Sequence, residues 1–510
     1  MSDNTYGDIL ANMRAFFKTG ATLPIEWRRE QLAALKRCIF ENQVRPPHTL
    51  TPCTPYSTPC SFFCPTPTTD FGRQDALIEA VDADLSKCRS EARLTEFAQM
   101  FAEIEFAEKK LASWMKPESL SAASFINSLD TIQVRKDPLG VCLLIVPWNY
   151  PVALSILPMI SMLAAGNTVV LKPSEVSASV ADVLAEIIPQ YFAPEIVSVV
   201  TGGVAETTEL LKLRYDHISY TGSTNVARII MAAAAKHLTP VTLELGGKSP
   251  AIVTPNANIA AAARRIVWGR LINCGQSCIA PDYVLVPPEL EAELIENMEA
   301  AIVEFYTENP KESPDYGRII NTRHWDRLMR LLEPGEFEVV TGGPDTADRD
   351  DKFIPPTILR GVSPDAPVMQ EEIFGPILPV LSVADLDAAI EFVNDREKPL
   401  ALYVFSSAKA DAEEVLTRTS SGSVCINDTV IQHGVITLPF GGVGESGMGF
   451  HHGKWGFEEF SHTKAVLGKS SGMEGLNSTR YPPYTEAKMS KVEWAVGYPK
   501  TLEKSSCSLM

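Results

Sequence analysis

Runs of consecutive apolar residues alternate with longer stretches of helical spacing over most of the chain. Apolar runs without polar alternation predict strands that are buried on both faces. The first series of such strands is 141–146, 168–171, 196–200 and 217–220. A second series consists of the strands 283–286, 379–381 and 401–405, with helices at 289–306 and 385–394. Strands that alternate with helices in this way indicate two α/β domains with largely parallel sheets.

The amino-terminal part follows a different pattern. Apolar residues at helical spacing predict one helix over about 14–42 and another over 76–115, and alternation predicts a strand at 129–135. Residues 44–74 are rich in Pro, Thr, Ser, Cys and Phe, which predicts an exposed segment without fixed structure. These residues share pyrimidine-rich codons and interrupt a helical pattern. We therefore hypothesise a retained intron or a gene-model error, which sequencing of the transcript tests.

The stretch 138–171 has no charged residue and resembles a membrane span at first reading. Three prolines interrupt it, at Pro147, Pro151 and Pro158. A helix that faces lipid must satisfy its own backbone hydrogen bonds, which prolines prevent. We expect a buried strand, a turn, a core helix and a second strand instead.

Composition narrows the class of protein. A chain of 510 residues predicts two or three domains, and its net charge of −18 argues against nucleic acid or an anionic membrane surface as main partner. The ten cysteines form no CxxC pair and have no histidines at metal-binding spacing, so no metal site is expected. The polar, acidic amino terminus does not resemble a secretory signal, which predicts a cytoplasmic location and reduced thiols.

Two segments carry the strongest chemical signal. Residues 241–248 (VTLELGGK) place Glu244 in an apolar run, where loss of water raises the pKa of a carboxyl toward that of a general base. Residues 273–278 (NCGQSC) place Cys278 after a Gly and small polar residues, in a loop able to hold a thiolate beside backbone N–H donors. Each segment alone is more typical of a strand-end acid or an ordinary cysteine. Together they supply a nucleophile and a base for acyl chemistry.

Other motifs follow predicted strands. In PWNYP, Asn149 either caps a helix or donates to an oxyanion, and in KPSE the pair Lys172 and Glu175 suits the hydroxyls of a ribose. Residues 220–227 (YTGSTNVA) bring small residues to a helix amino terminus, which favours phosphate binding. The glycine-dense loop 439–449 lacks a Lys at phosphate-loop spacing, so we expect close backbone packing beside the active site.

Seven motifs occur in the order seen throughout the aldehyde dehydrogenases: PWNYP, KPSE, YTGST, LELGGK, NxGQxC, EEIFGP and PFGGVGxSGxG. The chain resembles that superfamily over about 14–480, apart from 44–74. Segments such as AAAKHLTPVT and REKPLALY are most similar to the class 3 branch, which handles fatty and aromatic aldehydes. The resemblance implies a Rossmann-type cofactor domain (1–119 and 138–243), a second α/β catalytic domain (244–427), a small bridging β element (120–137 and 428–480) and a tail (481–510).

The resemblance also implies roles for individual residues. Cys278 would attack the aldehyde as a thiolate, Asn149 and the Cys278 N–H would hold the oxyanion, and Glu244 would activate the water that hydrolyses the thioester. The cofactor-binding residues implied are Trp148, Lys172, Glu175, Gly222, Ser223, Thr224, Asn225, Val226, Ala227, Glu372 and Phe374. Ala227 stands where the family usually has Gly. The cofactor would be NAD, with NADP possible, and the carboxyl of Glu175 favours NAD because it would repel a 2′-phosphate.

The expected activity is oxidation of medium-chain, long-chain or aromatic aldehydes to carboxylic acids by a homodimer. Two alternatives stay open: a specialised apocarotenal-oxidising enzyme similar to the β-apo-4′-carotenal oxygenases, and a non-catalytic binding or structural relative. The final residues CSLM match a prenylation pattern at Cys507, which predicts peripheral membrane attachment.

Overall fold

The computed structural model describes residues 4–42, 76–123, 127–333, 335, 337–472 and 474–498. The segment 44–74 and Cys507 lie outside these residues. The interpretation of that segment and the prenylation of Cys507 therefore stay predictions.

The strands form three sheets. In chain order they are β1 (Glu118–Ser119), β2 (Thr131–Pro138), β3 (Val141–Ile145), β4 (Thr168–Lys172), β5 (Val197–Val199), β6 (His217–Thr221), β7 (Val241–Glu244), β8 (Pro250–Val253), β9 (Tyr283–Val286), β10 (Glu338–Thr341), β11 (Thr357–Arg360), β12 (Ile377–Ser382), β13 (Ala401–Phe405), β14 (Ser423–Ile426), β15 (Gly447–Met448) and β16 (Ser461–Gly468).

Helices cover the sheets. They are α1 (Asn4–Lys18), α2 (Ile25–Asn42), α3 (Ala76–Leu85), α4 (Arg89–Ala92), α5 (Ala98–Met115), α6 (Ala153–Ala165), α7 (Ala178–Tyr191), α8 (Val204–Leu210), α9 (Thr224–Ala235), α10 (Ile259–Leu271), α11 (Pro288–Tyr306), α12 (Thr322–Leu331), α13 (Pro367–Gln370), α14 (Leu386–Asn394), α15 (Lys409–Arg418), α16 (Gly453–Glu459), α17 (Glu474–Asn477) and α18 (Glu486–Val496). A π-helical turn, Arg93–Phe97, joins α4 to α5.

The first sheet has the strand order β15-β7-β6-β3-β4-β5, and its strands are parallel except β15. From β3 the chain moves outward through β4 and β5, then returns to β6 and β7 on the other side of β3. The order therefore reverses between β3 and β6. Loops that leave neighbouring strands in opposite directions open a crevice at such a point, where doubly wound folds bind ligands. The loops that begin at 146 and at 222 lie there.

The second sheet has the order β10-β11-β12-β9-β8-β13-β14 and is parallel except for β10. Its central strands are fully buried and form the largest apolar core of the described residues. The third sheet, β1-β2-β16, is antiparallel and pairs Ser461 through Gly468 with Pro138 through Thr131. Most of β16 is exposed.

The structure confirms the mixed α/β fold with parallel sheets and most of the predicted buried strands. The charge-free stretch 138–171 forms β3, the buried helix α6 and β4, as expected. No helix within the described ranges has the length and apolarity to cross a membrane. Two helix predictions are wrong. The predicted helix 14–42 breaks between α1 and α2, where Gly20 has a φ of +76°, and the predicted helix 76–115 breaks at Ser86, which also has a positive φ.

Candidate active site

Glu244 ends β7 and lies between two backbone neighbours. Strand β7 pairs with β6 on one side, where Thr221 faces Glu244, and with β15 on the other, where Gly447 faces it. Gly447 has a φ of +136°, and an added Cβ there would overlap the carbonyl oxygen of Leu243. Only a glycine permits this approach. The expected close packing of the glycine-dense loop beside the active site is confirmed.

The carboxyl of Glu244 is buried without a hydrogen-bond partner on either oxygen. Burial is the main cause that raises its pKa well above the ordinary value, and the nearby carboxyl of Glu459 adds to the rise. The nearest basic atom recorded is Nε2 of His451, 3.9 Å from Oε1. The surroundings of Glu244 therefore favour the protonated form of its carboxyl.

The loop that carries Cys278 has an unusual backbone. Asn273, Cys274 and Gly275 follow α10 with φ values of +53°, +51° and +74°. At Gly275 an added Cβ would overlap the carbonyl of Gly375. Successive left-handed residues are costly and persist only where the surroundings hold them. Here the Asn273 N–H donates to Glu91 at 2.8 Å, and the Asn273 side chain donates to the carbonyls of Asn149 and Gln276.

The surroundings of Cys278 favour the protonated form of its thiol. Burial raises its pKa, and the carboxyls of Glu372 and Glu244 raise it further, whereas the N–H groups of Cys278 and Ile279 lower it. The expected backbone N–H donors are present, but they lower the pKa of the thiol by less than burial and the two carboxyls raise it. Reaction of Cys278 as a thiolate therefore stays a prediction: in the free protein, burial first and then two acids from segments distant in sequence act against it.

Asn149 follows β3 and faces the Cys278 loop. Its Nδ2 donates to the carbonyl of Gln276 at 3.1 Å, and its Oδ1 is buried without a partner. It does not cap α6. The first N–H groups of that helix, from Val152 and Ala153, donate instead to Glu96 at 3.2 and 2.9 Å.

A buried ion pair lies behind Asn149. Lys87 Nζ is 2.8 Å from Glu96 and also donates to the carbonyl of Asn149 at 3.4 Å. The ammonium lies 4.3 Å from the ring centre of Tyr150. Because Glu91 anchors Asn273, this segment of the amino-terminal helices fixes both the Asn149 loop and the Cys278 loop.

A cleft of about 1040 Å³ opens at the crevice of the first sheet. The predicted residues that line it are Asn149, Trp148, Gly222, Ser223, Thr224, Asn225, Glu244, Cys278, Glu372 and Phe374. The predicted cofactor residues Lys172, Glu175, Val226 and Ala227 are not among its lining residues. Lys172 and Glu175 lie at the end of β4, where Nζ of Lys172 is 3.6 Å from Oε2 of Glu175.

Several residues of the cleft were missed from the sequence. They are Thr221, Lys248, His324, Arg327 and Lys398. Lys248 carried a signal, since it ends the LELGGK motif, and it pairs with Asp282 at 2.7 Å. Thr221 also carried a signal, since it lies in the motif 220–227, whereas His324, Arg327 and Lys398 belong to segments without a predicted chemical role.

The cleft fits a nicotinamide dinucleotide. The loop 222–225 leads into α9, whose first N–H groups form an anion site suited to a pyrophosphate. Glu372 presents a buried Oε1 without a partner, which suits the hydroxyl of a ribose. Trp148 and Phe374 lie edge to face with ring centres 5.4 Å apart and provide an aromatic wall.

Glu372 is held within a charged network. Burial, then the carboxyl of Asp282, raise its pKa to about 8, against the lowering effect of the Gly247 N–H, Lys248 and Arg270. Asp282 is 3.0 Å from Arg270 and accepts the N–H of Ile373 at 3.1 Å. The EEIFGP loop is thereby fixed to the floor of the cleft.

A second cavity of about 440 Å³ lies on the other side of Cys278. Its wall is mostly apolar, with residues such as Leu94, Leu154, Leu157, Trp268 and Ile431. Polar lining comes from Gln99 and from His433, His451 and His452. Thr221, Glu244 and Cys278 line both the cleft and this cavity. A cysteine and a glutamate therefore stand where the cleft meets an apolar cavity.

This combination of fold and site defines a class: a nicotinamide-dependent oxidoreductase that reacts with its substrate through a cysteine. Comparison with known proteins narrows the class. The profile of the aldehyde dehydrogenase family matches residues 72–466. The chain is 46% identical over 481 residues to "Aldehyde dehydrogenase, dimeric NADP-preferring" of Mus musculus, covering 94% of this chain and 98% of the relative.

Two further comparisons agree. "Aldehyde dehydrogenase family 3 member B1" of Rattus norvegicus is 44% identical over 505 residues, with 99% of each chain covered. The structure of the substrate-bound state of Staphylococcus aureus AldH superposes with a TM-score of 0.86 at 38% identity, covering 96% of this chain and 98% of that one. The chain belongs to the aldehyde dehydrogenase family, is similar to its class 3 members as predicted, and carries out NAD(P)-dependent aldehyde oxidation.

Proposed function

We propose that Cys278 is the nucleophile, Glu244 the base and Asn149 an oxyanion donor in the oxidation of apolar aldehydes to carboxylic acids. The observation that carries this proposal is the junction of the two cavities at Thr221, Glu244 and Cys278. An aldehyde in the 440 Å³ cavity would reach the sulfur from one side. The cofactor would reach the same carbon from the cleft.

The first step forms a bond between Cys278 Sγ and the aldehyde carbon, and the thiol proton is released to solvent, so the substrate oxygen becomes an oxyanion. Asn149 retains one N–H beyond its bond to Gln276, and together with the Cys278 N–H it stabilises negative charge on that oxygen. Bound NAD(P) supplies the hydride acceptor that turns the adduct into a thioester. Glu244 then directs water at the thioester, and the carboxylic acid leaves as the thiol is restored.

We assign cofactor binding to the predicted residues that line the cleft and also to Lys172 and Glu175, which lie at the end of β4. Ser223 and the start of α9 would hold the pyrophosphate, Glu372 the nicotinamide ribose, and Lys172 with Glu175 the adenine ribose. The carboxyl of Glu175 is half exposed and therefore able to meet a ribose. We propose a preference for NAD, although one relative is named NADP-preferring. In Glu175→Gln, kcat/KM for NADP should rise relative to that for NAD, and an unchanged ratio would contradict the assignment.

The apolar wall of the cavity supports medium-chain, long-chain or aromatic substrates. NADH formation with aldehydes of rising length from propanal to decanal, and with benzaldehyde, tests this. We expect kcat/KM to rise with apolar length, because each buried methylene contributes roughly 0.8 kcal/mol. Identification of the carboxylic acid product completes the test. Absence of turnover with every aldehyde, in a folded sample that binds NAD, would favour the non-catalytic alternative.

We also propose a homodimer, in which 120–137 and 428–480 connect the subunits and separate the cofactor domain from the catalytic domain 244–427. The exposed edge strand β16 supports this, since such an edge is available for pairing. The word "dimeric" in the name of one relative agrees. Light scattering on the purified protein at micromolar concentration tests it, and a monomeric mass would contradict it.

A further inference from the structure

His451 is placed against Glu244 in a way that the roles above do not use. It follows the glycine-dense loop, and its backbone N–H bonds the carbonyl of Phe440 at 2.7 Å. The ring lines the 440 Å³ cavity and is 6% exposed, yet neither ring nitrogen has a hydrogen-bond partner. Its Nε2 lies 3.9 Å from Oε1 of Glu244, which also lacks a partner.

The neighbouring histidines are engaged elsewhere. His433 contacts Gln99 through Nδ1 at 2.8 Å, and His452 contacts the same side chain through Nε2 at 3.3 Å. His217 contacts the hydroxyl of Thr242 at 2.7 Å, and this hydroxyl donates to Glu459 at 2.7 Å. Around this cavity, among the described residues, His451 is the histidine whose two nitrogens are both unused.

The raised pKa of Glu244 favours its protonated form, and this creates a chemical requirement. A buried neutral carboxyl cannot accept a proton from water unless its own proton leaves. Glu459, on the other side, is itself an acid with a raised pKa, caused first by burial. Nε2 of His451, 3.9 Å from Oε1, lies beyond direct hydrogen-bond distance, and it is placed to take that proton after a small shift of the ring or through one water.

We propose that His451 accepts the proton of Glu244 while Glu244 takes a proton from the attacking water. The inference rests on the proposed role of Glu244 in thioester hydrolysis. His451 acts through Glu244, so its role is that of a proton acceptor rather than of a group that reacts with the substrate.

The step balances without an added reagent. Water oxygen bonds to the thioester carbon, a water proton moves to one oxygen of Glu244, and the proton on Oε1 moves to Nε2 of His451. The imidazolium then offsets the charge of the tetrahedral oxyanion. When the bond between carbon and sulfur breaks, its electron pair goes to Cys278, and the proton returns through Glu244 to the sulfur. The products are a carboxylic acid and the free thiol.

The surroundings keep the resting His451 ring neutral and make it a weak base until negative charge forms nearby. Burial, then the charges that His217 and His433 would carry, lower the pKa of His451 to about 3, so the resting ring is neutral. An imidazolium in this position is unfavourable until an oxyanion forms beside it. The proton is therefore held only while the tetrahedral state lasts.

The test compares His451→Phe, Glu244→Gln and the matched control His217→Gln, which removes a buried neighbouring imidazole outside both cavities. Each protein is mixed with NAD and hexanal. We expect His451→Phe to keep a burst of NADH, to slow roughly a hundredfold in steady state, and to accumulate an acyl group on Cys278 by intact-protein mass spectrometry. Glu244→Gln should do the same, and His217→Gln should show no accumulation.

The outcomes separate the two claims. If Glu244→Gln accumulates the acyl group and His451→Phe turns over like the wild type, the assignment of His451 as proton acceptor is wrong and the proposed function stands. If neither variant ever acylates Cys278 although the wild type is active, the proposed function itself fails. If His451→Phe loses the burst, His451→Ala with added imidazole decides: restored turnover supports the inference, and no restoration overturns it.

Discussion

Cys278 lies between two buried carboxyls whose surroundings differ. On the cofactor side, Glu372 lies near Lys248 and Arg270, close to Asp282, and accepts the N–H of Gly247. On the substrate side, Glu244 has no hydrogen bond, and its nearest recorded basic atom is on His451, 3.9 Å away. A carboxyl fixed by a charged network is suited to bind a ligand in one geometry. A carboxyl without partners is free to exchange a proton, which is the behaviour of a base.

The largest expected effect comes from the sulfur that both carboxyls face. Cys278→Ala should lower NADH formation roughly 10⁴-fold or more, because no other residue of the junction can form the covalent adduct. The melting temperature and the binding of NAD, measured by fluorescence, should be retained. Residual activity close to that of the wild type would remove Cys278 from the chemistry.

Glu372→Gln should separate binding from hydrolysis. Above pH 8, where the Glu372 carboxyl is ionised, loss of this charged acceptor for a ribose hydroxyl costs about 1.5–3 kcal/mol, which corresponds to a rise of roughly 10- to 100-fold in KM for NAD. Hydrolysis of a preformed acyl enzyme at saturating cofactor should not change, since that step belongs to Glu244. If Glu372→Gln slowed hydrolysis of the acyl enzyme and left KM for NAD unchanged, the roles assigned to Glu372 and Glu244 would be wrong.

The free protein should also lose stability with rising pH through Glu372. Its folded pKa of about 8 exceeds the ordinary value of 4.5, so the folded state binds this proton more tightly than the unfolded state. The contribution is complete below pH 4.5 and is lost as pH rises through 8. Between pH 6 and 9 the melting temperature of the wild type should fall relative to Glu372→Gln by about 2 °C. A constant difference over that range would contradict the pKa.

The smallest expected effect comes from a substitution remote from both carboxyls, which serves as a control for the variants of Glu372 and Glu244. Asn258 caps α10 by accepting the N–H of Ala261 at 3.0 Å, at the helix end far from the Cys278 loop. Asn258→Ala should cost about 1 kcal/mol of stability in thermal unfolding. KM for NAD and the rate of acyl hydrolysis should stay as in the wild type. A kinetic change here would mean that general destabilisation explains the effects at Glu372 and Glu244.

The strands that are buried on both faces could be predicted from the sequence. Strands β3, β9 and β13 follow the predicted apolar runs closely, because a parallel strand between helices has few polar positions. Strand β16 was not predicted from its own pattern, since most of its residues face solvent and its composition resembles a loop; only the resemblance implied a β element over 428–480. The break at 19–24 was also missed, although Gly20 and Pro24 carried the signal for it.

Motifs indicated the reacting groups, but their electrostatic state depends on contacts between distant segments. The positions of Cys278 and Glu244 at one junction agree with the motif-based prediction. The raised pKa of the thiol was not predictable from the motifs, because it results first from burial and then from Glu372 and Glu244, which approach from different loops. The approach of His451 to Glu244 has no local pattern at all, since it results from the pairing of β15 with β7.

The most direct test of the division of roles at Cys278 is the fate of the acyl group in Glu244→Gln. After mixing with NAD and hexanal, we predict a burst of one NADH per active site, followed by slow turnover, with a hexanoyl group on the peptide that contains Cys278. Wild-type protein under the same conditions should turn over without accumulating it. An acyl group on another residue, or full turnover by Glu244→Gln, would contradict the account.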